Sequence, residues 1–239
     1  MNNSIDGNEV EQYPSDGRLV AVSALDRHAV WIWDVENDQE YLKIDLQTGV
    51  PGAVAFSPDG GSLALTVAGH DAISLIDVKN RRLLDKKLAR PDPSKAIWGL
   101  AWSPDGHYLA AASDDDTAHV WNVAAEKEVL NLRGHSSDVK SVAWSPHGDQ
   151  LATASLDGTL RLWSFPNGKL TAVLTGHSSG VRGVAWSPDG RKLASAGEDG
   201  TEKIFAAKTE DLLALALQQQ QVGLTAGERD RCMALWQHQ

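Results

Sequence analysis

"WSPDG" occupies Trp102 to Gly106 and returns unchanged at Trp186 to Gly190, with "WSPHG" at Trp144 to Gly148 and "FSPDG" at Phe56 to Gly60. The closing glycines, Gly60, Gly106, Gly148 and Gly190, are separated by steps of 46, 42 and 42 residues. A degenerate copy, "YPSDG" (Tyr13 to Gly17), lies 43 residues before Gly60. Self-similarity at a fixed period of this order is the signature of a repeat architecture. The chain therefore reads as five repeats covering residues 8–207.

Within each repeat the apolar residues alternate with a period of two, as a strand with one buried face requires. "VKSVAW" (Val139 to Trp144) runs into a Ser-Pro-His-Gly turn and then into "QLATAS" (Gln150 to Ser155). A second turn at Asp157-Gly158 leads into "LRLWSF" (Leu160 to Phe165), and "KLTAVLTGH" (Lys169 to His177) supplies a fourth strand. Proline second and glycine fourth suit a tight reversal, and Asp-Gly is a hairpin signal. Four short antiparallel strands in about 42 residues are one blade of a β-propeller.

The repeats resemble the WD-repeat β-propeller family. The resemblance rests on Gly134-His135, Gly176-His177, the Ser-Pro-x-Gly turns and a Trp-Asp position. That position reads Trp33-Asp34, Ile76-Asp77, Trp121-Asn122, Trp163-Ser164 and Phe205-Ala206, at spacings of 43, 45, 42 and 42. Repeats one to three lack the Gly-His pair at its usual place, and Gly69-His70 reads as a hairpin turn. The expected fold is all-β, a β-propeller of about five four-stranded antiparallel blades, closed or incomplete, with a short C-terminal α-helical tail. The divisions are a polar N-terminal arm (1–12), the propeller (13–207) and the helical tail (208–239).

Composition sets limits on function. A formal charge of −10 lacks the basic footprint that nucleic acid requires. No apolar run is long enough to span a bilayer, and "MNNSIDGNEVEQ" has neither the basic nor the apolar segment of a secretory signal. One cysteine, Cys232, forms no internal disulfide. The expectation is a cytoplasmic protein with no cofactor.

His135, Thr153, Asp157 and Trp163 fall in one repeat and return as His177, Ser195 and Asp199, with Phe205 in the tryptophan's place. The grouping has the residue types of a hydrolytic triad. The family resemblance implies a structural network instead, in which buried polar groups satisfy one another. A catalytic site has no reason to recur every 42 residues. Repeat three holds Asp115 and Trp121 with no matching histidine, so Asp157→Ala is expected to destabilise more than Asp115→Ala. The carboxylates of "SDDDT" (Ser113 to Thr117) are too crowded for a calcium loop, and His28, His70 and His107 lack zinc spacing. No metal or catalytic residue is assigned.

Trp98, Lys140 and Arg182 each stand four residues before the repeated tryptophan, near the face that carries the turn aspartates. They are the candidate partner-binding residues, since Trp and Arg are enriched at interface hot spots; the plainer reading is a covered blade edge with solvated cations. The expected function is a non-catalytic scaffold that presents propeller loops to a protein or peptide. The alternative is a regulatory or sensor module forming the C-terminal portion of a larger signalling protein.

At the C-terminus, Thr209 is an N-cap candidate, and Thr225 with Glu228 forms a capping box, which predicts two short helices. Leu213, Leu215 and Leu217 alternate, so residues 209–219 also suit the fourth strand of the last blade. The Leu-Thr and Glu-Arg phrases of the tail resemble those of multidomain bacterial WD-repeat proteins. Closure is left open by the sequence: five blades close on themselves, belong to a longer array, or form an open arc that associates with another chain.

Overall fold

The computed structural model describes residues 9–12, 17–24, 28–46, 48–90 and 92–207. They form five antiparallel sheets. Blade one is β1 (Glu9–Gln12), β2 (Leu19–Ala24), β3 (Ala29–Asp34) and β4 (Gln39–Asp45). Blade two is β5 (Pro51–Phe56), β6 (Ser62–Val67), β7 (Ala72–Asp77) and β8 (Arg82–Ala89). Blade three is β9 (Ile97–Trp102), β10 (Tyr108–Ser113), β11 (Thr117–Asn122) and β12 (Lys127–Arg133). Blade four is β13 (Val139–Trp144), β14 (Gln150–Ser155), β15 (Leu160–Ser164) and β16 (Leu170–Leu174). Blade five has three described strands, β17 (Val181–Trp186), β18 (Lys192–Gly197) and β19 (Glu202–Ala206).

Each blade is an up-and-down meander in sequence order. Blade one draws β1 from residues 9–12, inside the segment read as an arm. A fourth strand for blade five, the helices and Cys232 all concern residues beyond 207, outside the described residues. Among those described there is no helix.

The repeated turn has a specific chemistry. In "FSPDG" and the two "WSPDG" copies, the hydroxyls of Ser57, Ser103 and Ser187 donate to Asp59, Asp105 and Asp189 at 2.5 Å. Each hydroxyl also accepts the N–H five residues on, from Ser62, Tyr108 and Lys192. In "WSPHG" the aspartate is replaced by His147, and Asp149 takes over, accepting from Ser145 at 2.8 Å. The closing glycines have φ between +67° and +74°, a left-handed conformation that only glycine adopts freely. That requirement, repeated with the blade, is why the phrase recurs.

Successive blades pack face to face. Ala110, Ala112 and Val120 of blade three meet Leu151, Trp144 and Trp163 of blade four. Ala152 and Leu162 of blade four meet Leu193, Trp186 and Phe205 of blade five. The innermost strands β5, β9, β13 and β17 pack in series, and β1 packs on β5. Nothing comparable joins β17 to β1 among the described residues. The tryptophans ending the inner strands peg each blade to the one before. Trp102, Trp144 and Trp186 donate their indole N–H to the carbonyls of Ala55, Ala101 and Ala143 at 3.0, 3.1 and 3.2 Å.

Candidate functional site

Antiparallel pairing puts the start of each inner strand beside the end of the second strand and the turn after it. The loop bearing His135, the Asp157 turn and the first residues of β13 thus share one face of the arc, which we call the entry face. Ser136 N–H donates to Asp157 across it at 3.2 Å.

In blade four a buried relay runs beneath this face. Trp163 Nε1 donates to Thr153 Oγ1 at 3.0 Å, which leaves the threonine hydroxyl to donate to His135 Nε2 at 2.7 Å. His135 Nδ1–H then donates to Asp157 Oδ2 at 2.8 Å. This donor order assigns the neutral Nδ1–H tautomer. Burial lowers the His135 pKa, opposed by the Asp157 hydrogen bond and charge. Burial works against the Asp157 carboxylate, yet hydrogen bonds from Thr159 and His135 outweigh it and hold the pKa below the usual carboxylate range.

A histidine whose pKa falls on folding binds more protons unfolded. Its stabilising contribution is complete above the unfolded value, about 6.5, and is lost as pH falls from there toward the folded value. Urea midpoints are therefore expected to drop between pH 7 and pH 5, and by less in His135→Asn. Equal drops in the two chains would remove His135 as a source of the pH dependence.

Blade five repeats the arrangement with one member changed. His177 Nε2 lies 2.7 Å from Ser195 Oγ, and Nδ1 lies 3.0 Å from Asp199 Oδ2. Hydrogen bonds from Thr201 and from the Ser178 N–H lower the Asp199 pKa. Phe205 brings no donor to Ser195.

Blade three departs from the sequence reading, which found no histidine for Asp115. His119, from within β11, supplies one: Nε2 is 2.9 Å from Asp115 Oδ2 and from Thr117 Oγ1, and Nδ1 is 2.8 Å from Glu128. Ala111 stands where blade four has Thr153, so the Trp121 indole donates instead to Ala89 O of blade two at 3.1 Å. Among the described residues no three His, Cys, Asp or Glu side chains gather as metal ligands. Gly69 turns between β6 and β7 with φ +80°, and His70 beside it accepts from Arg90 at its carbonyl, 2.9 Å.

Trp98, Lys140 and Arg182 share a structural position that the sequence reading missed. Each is the extra residue of a β-bulge: Ile97 and Gly99, Val139 and Ser141, and Val181 and Gly183 pair with adjacent residues of the second strand. A bulge re-aims a side chain out of the ladder. The signal was present as a break in alternation. The buried apolar residues Ile97 and Leu100, and Val139 and Val142, are three apart rather than two.

The structure brings two of the three together. Trp98 is 49% exposed, and the Lys140 ammonium stands 3.6 Å from its ring centroid. Asp138 holds that ammonium at 2.8 Å. Arg182, one blade on, is paired with Glu198 at 2.5 Å. Glu198 also lines a cleft of about 320 Å³ with Asp157, Gly158, His177 and Gly180. In blade two the irregular stretch is Pro51–Val54, and a Cβ on Gly52 would meet Thr66 Oγ1 at 2.5 Å. That blade places no side chain in the row.

The WD domain, G-beta repeat, family matches residues 87–122, 126–164 and 168–201. Each match starts in or just before the outer strand of one blade and continues into the inner strands of the next. WD repeat-containing protein VIP3 of Arabidopsis thaliana is 30% identical over 140 residues, 54% of this chain and 43% of its own length. Elongator complex protein 2 of the same plant is 30% identical over 149 residues, 57% of this chain and 18% of its own. In Gallus gallus, a chromatin assembly factor 1 subunit is 29% identical over 159 residues, 55% of this chain and 28% of its own. The chain spans less than half the length of these relatives, and their eukaryotic origin does not support a bacterial type for the WD-repeat resemblance.

Proposed function

We propose that this chain, an incomplete β-propeller carrying three WD repeats, is a non-catalytic scaffold that binds a protein or peptide on its entry face. The observation that carries the reading is Trp98, a half-exposed indole aimed outward by a bulge and held by the Lys140 ammonium. An aromatic fixed before binding loses little entropy on contact, which is what a hot-spot anchor requires. The names of the relatives, an Elongator complex protein and a chromatin assembly factor component, are those of assembly members and agree with this reading. The burial of Thr153 supports the non-catalytic reading: its hydroxyl lies out of reach of a substrate.

Selection of a random peptide library on the wild-type chain tests the proposal. Trp98→Ala is expected to weaken the enriched peptides at least about 30-fold, the effect of a hot spot near 2 kcal/mol. Lys140→Ala should weaken them by a smaller factor. Peptides that bind both variants as well as wild type would place the docking surface elsewhere.

A further inference from the structure

The two ends of the arc are the two sides of one kind of contact. On the trailing face of each blade the third strand presents Ile32, Leu75, Val120 and Leu162, all 0–1% exposed beneath the next blade. In blade five the same position is Ile204, 67% exposed. Ala194 and Ala196 are exposed as well, where Ala152 and Ala154 of blade four are wholly buried.

The leading face tells the complementary story. Leu63–Ile76, Leu109–Trp121 and Leu151–Trp163 are cross-strand pairs sealed onto the preceding blade, none above 3% exposed. In blade one that pair is Val20–Trp33: Val20 is buried, and Trp33 is 37% exposed. The chain therefore carries both halves of its own repeated interface, one at each end, and they do not meet within it among the described residues.

We infer that these end faces join between copies of this chain, with Ile204, Ala194 and Ala196 of one copy packing on Trp33 of the next. A second copy is the occupant because blade one presents the same pairing that covers this face at every internal junction. Glu202 stands where the other blades carry Val30, Ile73, Ala118 and Leu160, so the contact centres on Ile204 and leaves Glu202 at its margin. The contact is head-to-tail, and one copy's free ends remain competent for the next. This inference concerns the arc's ends and is independent of the entry face.

Light scattering after size-exclusion chromatography, over a concentration series, tests it. The wild-type chain is expected to gain mass with concentration in steps of one chain. Ile204→Asp and Trp33→Asp each destroy one half, so each variant alone stays at the mass of one chain. Mixed in equal amounts they retain one intact junction per pair, and a species of two chains is expected that grows no further. Ile204 is exposed in the single chain, so Ile204→Asp should keep the wild-type melting midpoint, and Ala196→Glu is a second blade-five variant. Trp33 is partly covered and donates to Asp38, so Trp33→Asp is compared at a temperature where its circular dichroism matches wild type. A wild-type chain that remains one chain at every concentration overturns the inference. So does an Ile204→Asp chain that still associates, or a mixture that stays at one chain while wild type associates, which would mean like ends pairing with like. A monomer destabilised by Ile204→Asp would assign the face to residues 208–239 instead.

Discussion

Trp121→Ala is expected to lower the melting midpoint by about 6–20 °C, from a loss of about 3–5 kcal/mol at about 2–4 °C per kcal/mol for a chain of this size. Trp121 is 1% exposed and packs with Ile73, Leu75 and Leu88 of blade two and Leu109 of its own blade. Its indole N–H is also the donor to Ala89 O, so truncation leaves a cavity and an unpaired carbonyl at the same junction. Trp121→Phe keeps most of the volume and loses the donor, and should cost about 1–2 kcal/mol. Differential scanning calorimetry on the three chains measures both. A shift below about 3 °C for the alanine variant would mean that blades two and three do not unfold as one cooperative unit.

The second large effect is expected at the turn aspartates. The Asp157 side chain is 6% exposed and accepts from His135, from the Ser136 and Thr159 N–H groups and from the Thr159 hydroxyl. Asp157→Ala orphans all of these at once, and breaking such a buried network should cost about 3 kcal/mol. The sequence reading made Asp115→Ala milder because repeat three has no histidine ahead of its blade. His119 removes that distinction, since Asp115 accepts from His119 and twice from Thr117. The two alanine variants are therefore expected to agree within about 1 kcal/mol. Urea denaturation of both decides it: an Asp115→Ala chain close to wild type beside a weakened Asp157→Ala chain would mean that His119 does not substitute.

The candidate site was legible in part. Trp98, Lys140 and Arg182 were found because a residue at a fixed offset from a repeated tryptophan is visible in one dimension. Their shared bulge is encoded in the three-residue spacing of Ile97 and Leu100, which breaks the period-two alternation of a regular strand. The pairing of Lys140 with Trp98 was not legible, because those residues come from different repeats and meet only when two inner strands lie side by side.

The sequence by itself determined the blade. Alternation, Ser-Pro-x-Gly and Asp-Gly turns act between neighbours, and their 42-residue recurrence carried them through the chain. Even His147 in place of the turn aspartate was absorbed locally, by Asp149. What only the tertiary structure decided lies between blades. The indole of Trp163 stays in its own blade on Thr153, while that of Trp121 crosses to Ala89 because Ala111 offers no hydroxyl. Ile204 is equivalent to Leu162 by every local rule, yet one is exposed and the other sealed. Burial there depends on what stands opposite, and a repeat cannot record whether it has a neighbour.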